Sequence, residues 1–126
     1  MNKSDTYSIR VTSRPDWIRV EVDGAATYEN TVAYWQVIIA EVLARKPKSV
    51  LLIDKMQGDP LSTEQWQALV AALIGHGLES TPIAHVKPHG LQLIEHCEIY
   101  AREAGLEARV FDDERQADLW LRHGER

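Results

Sequence analysis

Cysteine is nearly absent from this chain of 126 residues, and the one present, Cys97, has no second thiol to pair with. An internal disulfide is therefore excluded, and a reducing, cytoplasmic setting is the expected home. No apolar run approaches the ~20 residues that a membrane-crossing helix needs. The opening residues MNKSDTYS are polar, so neither a signal peptide nor a membrane span is expected. Charge of one sign is not concentrated either: 14 Lys and Arg stand interspersed with 19 Asp and Glu, for a net charge of −5. A nucleic-acid partner is thereby disfavoured, because phosphate backbones are met by clustered basic surface. Glycine-rich phosphate loops are missing, since Gly75 and Gly77 follow a helical stretch instead of preceding one. No serine occupies a nucleophile elbow.

What is there suits one globular domain. Apolar residues make up 44% of the chain, four of them tryptophan, and the length supports a single core and not two. The domain is expected over residues 7–124, with residues 1–6 as a flexible tail. Residues 49–62, SVLLIDKMQGDPLS, organise the rest. Val50 to Ile53 is an unbroken apolar run of the sort that a central strand buried on both faces requires. Asp54 sits where that strand leaves the core, residues 55–60 read as a tight loop, and Ser62 with Gln65 offers a capping box to the next helix.

Around this centre two residue periods alternate. Residues 7–12 and 17–23 alternate apolar and polar across the turn Ser13–Asp16, a β-hairpin pattern. From Thr27 to Ala44 the period is helical, with Val32, Trp35, Ile38, Ile39, Val42 and Leu43 on one stripe, until Lys46–Pro47. Residues 61–76 form a second amphipathic helix with Trp66, Leu69, Val70, Leu73 and Ile74 inward. PIAHV at 82–86 is a short strand, and residues 90–104 are a helix burying Leu93, Ile94, Cys97 and Ala101. Residues 108–111 form the last strand. Asp113, boxed with Gln116, starts a terminal helix carrying Ala117, Trp120 and Leu121. The order is ββαβαβαβα, an α/β fold with a mixed, mostly parallel five-stranded sheet and four helices. If the strands neighbour one another in sequence order, the crossover helices share one side of the sheet. The other face is then covered by something else or left partly exposed, and His85 and Arg109 fit a face that sees some water.

This order resembles the STAS-type fold of anti-sigma-factor antagonists, and more closely the small SpoIIAA-like (STAS/SEC14) bacterial proteins. The residues that carry the resemblance are SVLLID at 49–54, PIAHV at 82–86 and AREAGLEARVFDDERQADLWL at 101–121. It implies a non-enzymatic regulatory or protein-interaction module whose partner is another protein or a second copy, as a homodimer. The similarity of SpoIIAA-like domains to CRAL-TRIO lipid-binding domains implies the alternative, a small apolar or lipid-like ligand held between sheet and helices. Anti-sigma-factor antagonists present a phosphorylatable serine pair after the central strand; here Asp54 and Gly58 remain and the pair does not. Ser62 and Thr63 stand nearby at a helix start that would favour a phosphate, which makes Ser62 a phosphorylation candidate. A capping role explains Ser62 equally.

Ligands of open α/β sheets lie beyond the carboxyl ends of the strands. The binding candidates at that edge are Asp54, Lys55, Gly58, Ser62, Thr63, Lys87, His89 and Asp112, with Lys55 and Lys87 supplying positive charge. His85, His89 and His96 match no zinc spacing, so no metal and no cofactor is expected. Cys97 beside His96 on one helix is poor geometry for a thiolate–imidazole pair, and no catalytic residue is assigned. Trp17 lies on the polar side of its strand. There it would mark a partner surface or be covered by the N-terminal tail.

Overall fold

The computed structural model describes residues 7–58, 61–75, 78–88 and 95–123, the side chains at 95–97 and 100 excepted. Five strands form one sheet in the order of the chain: β1 (Tyr7–Ser13), β2 (Trp17–Ala25), β3 (Ser49–Gln57), β4 (Ile83–Val86) and β5 (Ala108–Phe111). β1 and β2 pair antiparallel as a hairpin, and every later pairing is parallel. Four helices complete the α/β fold: α1 (Tyr28–Arg45), α2 (Thr63–Leu73), α3 (Glu95–Glu103) and α4 (Glu114–His123).

Sequential strand order has the expected geometric result. The helices that cross between parallel strands share one face, where Trp35 and Ile38 of α1, Leu69 and Val70 of α2 and Ala101 of α3 bury Val20, Val50, Leu52 and Ile83. The second face is closed by α4. Ala117 packs on Leu51, Ile53, Ala84 and Val86, with Trp17, Phe111, Trp120 and Leu121 around the rim. Trp17 therefore packs, half-buried, against the cluster under the terminal helix and is not a fully exposed aromatic; the tail expected to cover it lies outside the described residues. No β1 residue belongs to the cluster under α4, and the sheet surface beside it is charged: Arg19 bonds Glu21 and Glu114, and Lys55 lies 3.6 Å from Glu21. Two positive groups beside Glu21, the Arg19 hydrogen bond foremost, hold its carboxyl below the usual range.

Local signals set the element ends. Thr27 caps α1 by accepting the Asn30 N–H, and Lys46 closes it in the left-handed region ahead of Pro47. Ser62 and Gln65 form the complete capping box of α2. Asp113 caps α4 through the Arg115 N–H at 2.8 Å, and not through the Gln116 box expected for it.

Three further expectations need correction. β3 runs to Gln57, so residues 55–57 are strand and not loop. Leu43 and Ile74 fall on the apolar stripes of their helices yet are exposed, because each lies near a helix end beyond the reach of the sheet. His85 is buried on the three-helix face, and only Arg109 points to a watery surface. The tail at 1–6, the helix start at 90–94, residue 124, His76 and Gly77 lie outside the described residues.

Candidate functional site

Parallel pairing brings three charged side chains together at the carboxyl ends of β3 and β4. Leu52 is opposite His85 in the register, which leaves Asp54 opposite Lys87 one pleat further on. The strand period of two then turns all three side chains to the helix-covered face. Their exposures are 5% for Asp54, 3% for His85 and 5% for Lys87. Charges at such depth persist only when each is matched.

Here the carboxylate, the ammonium and one imidazole nitrogen are engaged with one another. His85 Nε2 lies 2.8 Å from Asp54 Oδ2. An ionised carboxylate only accepts, so the proton of this bond sits on the imidazole. Asp54 Oδ1 accepts the Met56 N–H at 2.9 Å and lies 3.4 Å from Lys87 Nζ, which also donates to the Met56 carbonyl at 2.8 Å. Burial by itself pushes the Asp54 carboxyl up. The His85 bond and charge, the Lys87 ammonium and the Met56 N–H outweigh that push and hold it below the ordinary aspartate value. The network ties the end of β3 to the end of β4 across 31 residues of chain.

Beside the network the edge opens into a hollow of 240 Å³ lined by Asp23, Asp54, Lys55, Met56, Gln57 and Pro88. Of the binding candidates, Asp54 and Lys55 line this hollow, and Lys87 meets Asp54 behind it. Lys55 is exposed at the rim, 3.6 Å from Glu21. Lys87 is not: its ammonium is turned inward onto Asp54 and Met56, and its positive charge is spent inside the protein. Gly58 ends β3 at φ +139°, a conformation that side-chain-bearing residues rarely adopt. Ser62 and Thr63 are exposed at the start of α2 and Asp112 is exposed after β5; none of them lines the hollow. His89 lies outside the described residues.

His85 is the member that sequence reasoning missed. The signal was present: His85 and Lys87 share a face of a strand that is otherwise apolar, and a buried polar residue requires a partner. Asp54, closing the apolar run of the neighbouring strand, is that partner.

Among the described residues no group of His, Cys, Asp and Glu has the geometry to hold a metal ion. A second cavity lies between the sheet and α2 and α3, lined by Trp35, Leu69, Leu73, His85, Glu98 and Val110 among others. Its volume is 20 Å³, space for about one water molecule. No helix among the described residues is long and apolar enough to cross a membrane. No protein-family model and no curated protein matches the chain.

Proposed function

We propose that this chain is a non-enzymatic, cytoplasmic regulatory or protein-interaction module of the SpoIIAA-like kind. It receives its partner at the carboxyl edge of the parallel strands, around the hollow bounded by Asp23, Lys55, Gln57 and Pro88. The observation that carries this reading is the mutual engagement of Asp54, His85 and Lys87. A catalytic base or nucleophile must offer an uncommitted group to its substrate. Here both carboxylate oxygens and the ammonium are already engaged, so the cluster stiffens the ends of β3 and β4 instead. A rigid edge meets a partner with little loss of conformational freedom, which favours recognition.

The rival reading, an apolar or lipid-like ligand between sheet and helices, needs a cavity of roughly 300 Å³ or more. The space found there is 20 Å³. Phosphorylation at Ser62 would act at the start of α2, where the hydroxyl now accepts the Gln65 N–H at 3.1 Å.

Two measurements test the proposal. In extracts of the parent cell, the wild-type chain and an Arg102→Glu variant should retain the same partner, while Lys55→Glu and Gln57→Arg should lose it. Equal retention by all four would remove the edge from the interaction. Native mass spectrometry of gently purified, untagged protein should give the bare chain mass, as monomer or dimer. A discrete added apolar mass would overturn the module reading in favour of the ligand.

A further inference from the structure

The two edges of the sheet are finished differently, and the difference identifies a second interaction surface. The hairpin closes with Arg14 N–H bonded to the Trp17 carbonyl at 2.8 Å. Antiparallel pairing alternates from that pair, so Ser8, Arg10 and Thr12 turn their backbone groups toward β2. Tyr7, Ile9, Val11 and Ser13 turn theirs outward. Two bonds on the other side of β2 fix the same alternation: Lys48 N–H to Asp16 carbonyl and Ala26 N–H to Gln57 carbonyl show its even-numbered residues facing β3. Among the described residues, no strand pairs with this outer row of β1.

At the opposite edge, Glu107 and Phe111 turn their carbonyls to β4, which leaves Ala108 and Val110 facing out. There the Val110 N–H is already taken by the Glu98 carboxylate at 3.0 Å. A carboxylate in that position occupies the donor that an added strand would use. β5 is guarded at Val110; among the described residues β1 has no such guard.

We infer that β1 accepts an extended, acidic segment of a partner protein as a sixth strand of the sheet. Two features of β1 select the occupant. Tyr7, Ile9 and Val11 are half-buried along the rim of the main core, so an added strand with apolar residues at alternate positions would extend that core. On the other side of the strand Arg10 is exposed, and Arg14 is exposed at the turn. Neither makes an ion pair among the described residues. Glu21, opposite Arg10, is engaged by Arg19 and Lys55. Acidic residues at the alternate positions of the incoming strand complement these free guanidinium groups. A second copy of this chain would instead bring a β1 that carries Arg10 and no acidic residue, and so offers these guanidinium groups no counter-charge. This surface lies on a different strand from the hollow of the proposed partner edge, so either can fail without the other.

The test uses a short end-blocked peptide alternating valine and glutamate, titrated into the isotope-labelled full chain and followed by amide chemical shifts. The largest shifts and new protection from hydrogen exchange are expected at Tyr7, Ile9, Val11 and Ser13. N-methylating the alternate residues whose N–H groups would pair with β1 should abolish binding. Arg10→Gln should weaken the glutamate peptide roughly threefold, the size of one exposed charge contact. A peptide with lysine in place of glutamate should bind more weakly than either combination. The inference is overturned by absent binding, by shifts centred on Ala108 and Val110, or by indifference to N-methylation. It is equally overturned if the lysine peptide binds as well, or if sedimentation shows the free chain already dimerised through β1.

Discussion

Replacing Asp54 by asparagine keeps the shape of the side chain and removes its charge. The Lys87 ammonium would then remain buried with the Met56 carbonyl as its one close acceptor, and His85 would compete with it for a single amide oxygen. Breaking a buried ion pair from one side costs about 3–5 kcal/mol, because the surviving charge has lost its counterion but not its burial. Against a total stability of roughly 5–15 kcal/mol this is a large fraction. In a domain of this size it corresponds to a fall in Tm of roughly 10–20 °C. Urea unfolding followed by tryptophan fluorescence measures it directly, since Trp35 and Trp66 are both buried. The pH dependence adds a second signature. The folded Asp54 carboxyl titrates below the unfolded value of about 3.9, so its contribution is fully present above that pH and is lost as the pH falls through the folded pKa. The gap between wild type and Asp54→Asn should therefore be widest near neutrality and should narrow in acid. A double-mutant cycle with Lys87→Met should give a coupling of about 1–3 kcal/mol, because methionine removes the charge that Asp54 balances. A loss below about 1 kcal/mol for Asp54→Asn, the size of an exposed pair, would refute the view that this network is sealed from water.

Other substitutions read the same structure elsewhere. Ser62→Ala should cost about 1 kcal/mol in chemical denaturation by opening the α2 capping box. Ser62→Asp, which can still accept the Gln65 N–H, should cost less. Arg19→Ala, which removes an exposed bidentate contact to Glu114, should change stability by less than about 1 kcal/mol, and the loss should shrink in high salt. Gly105→Ala should cost about 1 kcal/mol in unfolding free energy from backbone strain alone, since φ there is +96° and nothing crowds an added methyl group.

Sequence by itself determined the element order, the α/β class and most of the core, because these follow from periods of two and 3.6 residues within single segments. The run Val50 to Ile53 had to be a strand covered on both sides, and Ser62 with Gln65 had to open a helix, whatever lay elsewhere in the chain. The same periodicity misjudged Leu43 and Ile74, since it assigns a stripe but not how far the neighbouring sheet extends beneath it. Tertiary structure alone decided which charged residues meet. Asp54 and His85 are 31 residues apart and come within 2.8 Å only because β3 and β4 pair in one particular parallel register. A shift of that register by one residue would turn His85 and Lys87 to the α4 face and leave Asp54 buried without a counterion. Tertiary structure also decided that Trp17 packs against the cluster under α4, and that Glu98 occupies an outward N–H at one edge of the sheet while no described residue pairs with the other. Local pattern fixes how each segment buries its own apolar face; the matching of buried charges depends on where separate segments come to lie.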